Sequence, residues 1–273
     1  MISRSNLHTH TNYCDGKDSI EAIVKQAIDD NFRSLGFSGH AYAGNKIDDI
    51  GMKNSVRNTY YHEIRTMSEK YRDQITLFMG LEVDLINPIR PSFLDYTIGS
   101  IHFLPTKQGI IEIDNTPELL QEGIQMLGGD PLTLARAYYE AEVRFSRINK
   151  YEILGHFDLL TKFDETSHIF DETDKAYQTL ALDAIEEIGK QGKIIELNTG
   201  AISRGYKTQP YPALFILKRI HELHLPVIIS SDAHAKENLS YHFNEAEELL
   251  RSLGFTEVME LTKDHRFVPQ LLK

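Results

Sequence analysis

The fold of this chain is indicated most clearly by residues 226–234, which read PVIISSDAH. Val227, Ile228 and Ile229 make a continuous apolar run, which is typical of a strand in a parallel sheet that is covered on both faces. The run ends in an acid and a histidine two positions apart, Asp232 and His234. A buried acid beside an apolar strand is unfavourable unless it is paired or binds a metal ion, although Asp232 could instead cap the following helix.

Strand-like and helix-like segments alternate in the same way along the whole chain. The predicted strands are 5–11, 35–40, 76–83, 96–104, 153–157, 193–199 and 226–231, with shorter candidates at 109–114 and 258–261. The predicted helices are 18–28, 56–71, 117–127, 131–149, 173–191, 212–223 and 238–252. Seven strands with helices between most of them predict an α/β barrel, and 273 residues suit a single domain of that kind spanning 1–273.

The composition limits the partners and the location that we expect. The chain has 29 Lys and Arg residues against 40 Asp and Glu residues, a formal net charge of -11. Such a surface repels nucleic-acid backbones and anionic membranes, so we expect neither as a partner. Cys14 is the one cysteine, which excludes an internal disulfide and fits a reducing compartment. Since no stretch is typical of a signal peptide or a membrane span, we expect a soluble cytoplasmic protein, with its oligomeric state open.

Residues able to bind a metal ion lie at the ends of six of the seven predicted strands. The candidates are His8, His10, His40, Glu82, His102, His156, Asp232 and His234, and Asp15 follows in the loop after the first strand. Active sites of barrel enzymes form at the carboxyl ends of the strands, so these side chains should meet around one opening. Each of them alone is more often structural or solvated, and the prediction of a metal site depends on their joint placement.

The sequence His8-Thr9-His10 is the sharpest of these local signals. Residues two apart on a strand point to the same face, so both imidazoles can bind one ion at about 2.0–2.1 Å. Two surface histidines on an edge strand are the alternative. Asp15, in the sequence YCDG (13–16), is compatible with a loop ligand and equally with a turn residue.

As an ordered set these residues resemble the PHP (polymerase and histidinol phosphatase) family. The resemblance runs from His8 to His234 and includes the segments GLE (80–82), SIH (100–102), GHFD (155–158) and DAH (232–234). It implies a distorted (β/α)7 barrel, similar to a TIM barrel, that holds three divalent transition-metal ions. By the resemblance, one ion is bound by His8, His10, Glu82 and Asp232, a second by Glu82, His102 and His156, and a third by Asp15, His40 and His234. These ligand types suit Zn, Fe and Mn about equally well.

The resemblance also implies an activity. Within the family the chain looks most similar to enzymes of histidine biosynthesis that hydrolyse L-histidinol phosphate to L-histidinol and phosphate, with Glu82, Asp232 and His234 as catalytic residues. Divalent ions of this kind supply a nucleophile at neutral pH and neutralise charge on phosphoryl oxygens. Two alternatives are a PHP phosphoesterase that acts on another monoester, a nucleotide or a phosphodiester, and a metal-binding domain without catalysis.

Candidates for substrate binding come from the chemistry of the substrate. Arg204 follows the sequence NTG (198–200) and can hold two phosphate oxygens at once, although an ordinary surface arginine is the alternative. The other candidates are acids for the substrate amine and aromatic rings beside its imidazole, namely Asp158, Glu112, Asp114, Tyr42 and Phe103.

Overall fold

Parallel strands form the centre of the fold in a computed structural model, which describes residues 4–44 and 48–272. The strands are β1 (Arg4–Asn6), β2 (Phe32–Phe37), β3 (Thr76–Asp84), β4 (Tyr96–Ser100), β5 (Phe103–Pro105), β6 (Ile110–Glu112), β7 (Ile153–Leu154), β8 (Ile194–Asn198), β9 (Val227–Ser230), β10 (Glu257–Leu261) and β11 (Phe267–Leu271). Seven of them make one parallel sheet in the order β1-β2-β3-β4-β7-β8-β9.

The two edges of this sheet meet just beyond their last paired residues. Thr9 and Ala233 form a parallel bridge, in which the amide of His10 donates to the carbonyl of Ala233 at 2.9 Å. The amide of Ala233 donates in turn to the carbonyl of His8 at 3.1 Å. The sheet is therefore a nearly closed barrel, and the predicted α/β class with a distorted (β/α)7 barrel is confirmed.

Helices surround the barrel. They are α1 (Ile20–Asp29), α2 (Asn54–Lys70), α3 (Pro117–Met126), α4 (Pro131–Ile148), α5 (Asp164–Ser167), α6 (Lys175–Gly189), α7 (Gly200–Ser203), α8 (Leu214–Glu222) and α9 (Phe243–Ser252), with short 3-10 helices at Leu159–Thr161 and Lys236–Asn238. Three of the helices begin where the sequence places a start signal: the Ser19 hydroxyl accepts from the amide of Ala22 at α1, and Pro117 and Pro131 occupy the first turns of α3 and α4. None of the described helices is long and apolar enough to cross a membrane.

Side chains alternate between the outside and the inside of the barrel along each strand. Val227 and Ile229 pack outward into the large core under the helices, whereas Ile228 points inward. The inward apolar side chains form one cluster, which we call the apolar layer: Leu7, Phe78, Tyr96, Ile98, Ile153, Ile194 and Ile228. Gly80 leaves room for it, because a Cβ there would lie 2.5 Å from the Tyr96 ring.

Several predicted boundaries differ from the structure: the strand predicted at 5–11 is Arg4–Asn6, for example, and the helix predicted at 238–252 begins at Phe243. The strand predicted at 96–104 ends at Ser100, because the carboxylate of Asp84 accepts hydrogen bonds from the amides of His102 and Phe103 at 2.8 and 3.3 Å. Residues 103–105 pair instead with β6 as an antiparallel hairpin. The short strand predicted at 258–261 is present as β10, and it pairs with β11, which was not predicted.

Candidate metal centre

All nine predicted metal ligands lie at the carboxyl ends of the barrel strands. His8 and His10 flank the bridge that closes the barrel, and their ring centroids are 5.1 Å apart. Both rings are buried, so the alternative of two surface histidines does not apply. Asp232 follows β9 with a left-handed backbone (φ 48°), and its carboxylate lies against Gly200, where a Cβ would be 2.7 Å from the Asp232 Cβ. The predicted ligands are thus brought together around one point.

The innermost group consists of His8, His10, Glu82 and Asp232. Glu82 Oε2 lies 3.2 Å from His8 Nε2 and 3.5 Å from His10 Nε2. Asp232 Oδ1 lies 3.5 Å from His8 Nε2 and 3.1 Å from His10 Nε2. Two ligand atoms on one tetrahedral ion at about 2.0–2.1 Å stand roughly 3.3–3.4 Å apart, so this spacing suits a shared ion.

Hydrogen bonding in this group gives an independent test of a metal. His8 Nε2, His10 Nε2 and Glu82 Oε2 are buried and have no hydrogen-bond partner among the described residues. Buried polar atoms are nearly always satisfied, and three that converge on one point share a single missing partner. A cation would satisfy all three at once, so the residues fit a metal ion.

A second group surrounds the other side of the same carboxylate. Glu82 Oε1 lies 3.0 Å from His156 Nε2 and 3.6 Å from His102 Nε2, and Glu82 Oε2 lies 3.0 Å from His40 Nδ1. The Glu82 side chain is 1% exposed. Five imidazoles surround this buried anion: those of His8 and His10 from the first group, and those of His40, His102 and His156. Its two oxygens face different ligands, as expected of a carboxylate that bridges two ions.

The third group lies nearest the solvent, around Asp15. Asp15 Oδ2 lies 3.0 Å from His234 Nε2 and 3.7 Å from His40 Nε2, and Asp15 Oδ1 lies 3.5 Å from His10 Nδ1. The Asp15 side chain is 26% exposed, and that of His234 is 19% exposed. His10 and His40 each face two groups with their two ring nitrogens, so the three groups form one continuous cluster.

The charges of these groups suit cation binding. Burial acts to raise the pKa of the Glu82 carboxyl, but the imidazoles of His40, His8 and His102 lower it well below its usual range. Burial lowers the pKa of His10 to about 3, with the neighbouring His234 and His40 adding to the effect. Glu82 is therefore an anion and His10 a neutral ring, which are the forms that bind metal ions.

Burial also lowers the pKa of His102, but the carboxylates of Glu82 and Asp84 more than offset it and raise the pKa to about 10. The imidazole then carries a proton that a bound cation would displace. Metal binding at the second group should therefore release protons at neutral pH.

Comparison with known proteins places this cluster in a family. Residues 6–200 match the family model described as PHP domain. The chain belongs to the PHP domain family. The predicted resemblance is confirmed, since the match covers well over half of the chain.

Several PHP relatives are similar over nearly the full length of the chain. The Bacillus subtilis protein named histidinol-phosphatase is 26% identical over 264 residues, which cover 89% of this chain and 97% of that protein. The Schizosaccharomyces pombe protein named probable histidinol-phosphatase is 25% identical over 278 residues, which cover 94% and 89%.

Solved structures show the same PHP fold. Histidinol phosphate phosphatase from Lactococcus lactis, crystallised with zinc, L-histidinol and phosphate, superposes with a TM-score of 0.72 at 20% identity. The superposition covers 97% of this chain and 99% of that one. A structure from Listeria monocytogenes superposes with a TM-score of 0.77 at 22% identity and covers 89% of this chain and 99% of that one.

A small cavity opens above the ligand cluster of this PHP barrel. Its volume is about 250 Å³. Its lining includes predicted ligands of the second and third groups and also Phe103, Glu112, Asp114, Lys162, Arg204 and Tyr206. The floor of the cavity is formed by members of the set of nine candidate metal ligands, which we call the metal cluster, and its walls carry both acidic and basic side chains.

Two of the predicted substrate contacts do not line this cavity. Asp158 is fully buried, and its Oδ2 accepts a hydrogen bond from the amide of Ala213 at 2.8 Å. Burial raises the pKa of its carboxyl to about 6. Asp158 therefore does not line the cavity in this structure, and its contact with substrate stays a prediction. Tyr42 is not among the lining residues either, and its carbonyl accepts from the side chain of Asn87.

Arg204 lines the cavity, and its guanidinium also contacts two of the predicted metal ligands. Its Nη2 lies 3.0 Å from Asp232 Oδ2, and its Nη1 lies 3.3 Å from the Asp232 carbonyl. Its Nη1 also lies 2.8 Å from His234 Nδ1. The alternative of an ordinary surface arginine does not hold, because Arg204 orients two of the ligands.

Lys162 and Glu196 are two functional candidates that the sequence analysis missed. Lys162 lines the cavity; its Nζ donates to Asp114 Oδ2 at 3.0 Å and lies 4.7 Å from the centre of the Tyr206 ring. It follows a 3-10 helix, where no periodic pattern marks a position. Glu196 lies on β8 two residues before Asn198. A carboxylate and an amide two positions apart in an otherwise apolar strand indicate a functional position, and this pattern is visible in the sequence.

Proposed function

We propose that this chain is a metal-dependent phosphatase of the PHP family that hydrolyses L-histidinol phosphate to L-histidinol and phosphate in histidine biosynthesis. The observation that carries the proposal is the cluster of nine candidate ligands, with Glu82 at its centre, at the floor of a small cavity. The names of the curated relatives and the bound histidinol and phosphate of the Lactococcus lactis enzyme support the choice of substrate. A cytoplasmic location stays a prediction.

Three divalent transition-metal ions, Zn, Fe or Mn, are part of the proposal. The three groups of side chains described above would hold them, with Glu82 between the first two. Ions held in this way supply a nucleophile at neutral pH and counterbalance charge on the phosphoryl group. The zinc of the Lactococcus lactis structure supports Zn as one of the metals.

The residues of the chain itself bind and orient the substrate. The phosphate would lie on the cluster, where Arg204 and Lys162 provide fixed cations at the cavity wall. Glu112 and Asp114, which also line the cavity, would face the cationic amine, and Phe103 would pack against the imidazole ring. Asp114 is already paired with Lys162, so Glu112 is the freer acid for this contact.

Size and charge both favour a small monoester. A cavity of about 250 Å³ accommodates a compact substrate. The net charge of -11 repels a long polyanion, whereas the local cluster of imidazoles and cations attracts a single phosphate dianion. A small substrate with a phosphate at one end and a positive amine at the other matches this distribution.

The experiment that tests the proposal compares kcat/KM for four substrate types after loading with Zn²⁺ or Mn²⁺. These are L-histidinol phosphate, p-nitrophenyl phosphate, nucleoside monophosphates and a phosphodiester. We expect histidinol phosphate to be preferred by at least about tenfold, which corresponds to roughly 1.4 kcal/mol of transition-state binding. Equal kcat/KM values for the monoesters would indicate a phosphatase that acts on another substrate. The absence of hydrolysis of any of them would indicate a metal-binding domain without catalysis.

A further inference from the structure

We propose that Glu196 is a positioning residue that orients ligands of two different metal groups, His8 of the first and His156 of the second. The inference rests on the proposed metal centre and is independent of the substrate. Glu196 is not one of the nine ligands, and it lies behind them on the inner face of β8, between Ile194 and Asn198.

Both oxygens of this carboxylate are used, and every partner is buried. Glu196 Oε1 lies 2.6 Å from His8 Nδ1. Glu196 Oε2 accepts from the amide of His156 at 2.8 Å and from Asn198 Nδ2 at 2.9 Å. The side chain itself is fully buried. A buried carboxylate with these contacts has no freedom to turn.

The contact with His8 selects which ring nitrogen faces the metal. A carboxylate can only accept, so His8 Nδ1 must carry the proton. The Nε2 lone pair is then directed toward Glu82 and Asp232, whose oxygens lie 3.2 and 3.5 Å away. Histidine ligands in metal sites are commonly held in this way by an acceptor on the second nitrogen.

The contact with His156 acts on the backbone rather than the ring. The amide of His156 is fixed by Oε2, and its ring then reaches Glu82 Oε1 at 3.0 Å. His8 and His156 meet opposite oxygens of Glu82. The Glu196 carboxylate therefore sets the position of one ligand on each side of Glu82.

Replacement by the isosteric amide tests this geometry. In Glu196→Gln the amide has one acceptor, so it cannot serve both sides. If its oxygen faces His8, its NH2 group meets the donors of His156 and Asn198. If its nitrogen faces His8, the proton is forced onto Nε2, which blocks metal binding. Either orientation disturbs a ligand with almost no change in volume.

The measurement is the Zn²⁺ affinity of metal-free protein, by competition with a chromogenic chelator. We expect at least one Zn²⁺ of Glu196→Gln to bind roughly 10–100-fold more weakly than in the wild type. The matched control is Glu152→Gln, since Glu152 accepts from the amide of Thr97 at 2.9 Å at the opposite end of the barrel. The control should bind Zn²⁺ as the wild type does. Affinities of Glu196→Gln within twofold of the wild type would overturn the proposal.

A second measurement does not depend on the folding of a variant. In the Zn²⁺-loaded wild type labelled with ¹⁵N-histidine, NMR should show the His8 ring protonated at Nδ1 and not at Nε2. A His8 ring without a proton on Nδ1 would overturn the proposal. A wild type that binds no Zn²⁺ would overturn the metal centre as well, whereas normal wild-type binding with an unchanged Glu196→Gln would overturn this inference alone.

Discussion

The interior of the barrel contains two layers that differ in chemistry although the same strands supply both. On β3, Phe78 belongs to the apolar layer and Glu82, four residues later on the same face, lies at the centre of the metal cluster. On β8, Ile194 belongs to the apolar layer and Glu196 to the polar one. The change from apolar to polar takes place within two to four residues, about 7–13 Å along a strand.

The two layers therefore contribute to different properties, the apolar layer to stability and the polar layer to chemistry. Each fully buried apolar side chain contributes roughly 1.5–3 kcal/mol relative to exposure. The cluster at the carboxyl ends instead buries charged groups, which is favourable only if each of them has a partner. The apolar layer should therefore govern folding, and the metal cluster should govern activity and depend on its ions. Substitutions in the two layers can test this division.

The largest effect is expected at the centre of the metal cluster. Glu82→Ala removes the carboxylate that faces five imidazoles, so we expect kcat to fall by more than the roughly 10–100-fold that loss of an outer partner causes. The barrel should still fold, since the apolar layer is intact. Steady-state kinetics, metal content by elemental analysis and circular dichroism provide the test. A variant with near-normal turnover and metal content would show that Glu82 does not bridge two ions.

The counterpart on the same strand should show the opposite pattern. Phe78→Ala empties a site that is 1% exposed in the apolar layer and should lower the free energy of unfolding by about 3–5 kcal/mol. Its kcat/KM, measured well below the unfolding transition, should stay near that of the wild type. Denaturant titration gives the stability. A large loss of activity in the folded variant would mean that the two layers are not separable.

Metal removal should change the stability of Phe78→Ala and of Glu82→Ala to different extents. If ions bind only the folded protein, free Zn²⁺ at a hundred times the dissociation constant stabilises the fold by about 2.7 kcal/mol per site. Thermal unfolding with and without chelator should therefore show this gain in the wild type and in Phe78→Ala. Glu82→Ala should lose most of it. The same gain in all three proteins would place the Zn²⁺ outside the cluster.

The sequence pointed to the nine candidate ligands because most of them lie at or just after the end of a strand, and a barrel brings strand ends together. It did not predict Glu196, because only residues at strand ends were considered. Glu196 lies two residues before the end of β8, on the face that points into the barrel. Nor did the sequence indicate that the Asp158 carboxylate is buried, where it accepts a hydrogen bond from the amide of Ala213. The β11 strand was missed because none of its residues is fully buried and because it contains Pro269, a residue that sheets tolerate mainly at their edges.

The smallest effect is expected at the edge of the cluster, where Arg204 contacts both a ligand and the cavity. Its guanidinium approaches Asp232 Oδ2 at 3.0 Å. Burial acts to lower the pKa of this guanidinium, but the Asp232 carboxylate more than offsets the effect and leaves the pKa raised. Arg204→Ala should raise the inhibition constant of inorganic phosphate by roughly tenfold or more, as expected for the loss of a hydrogen bond to a charged group. The affinity for Zn²⁺ should change less, since all nine ligands remain. Arg147→Ala removes an exposed arginine that pairs with Glu187 and serves as the control. If inhibition by phosphate is unchanged while Zn²⁺ binding weakens, Arg204 positions Asp232 and does not bind phosphate.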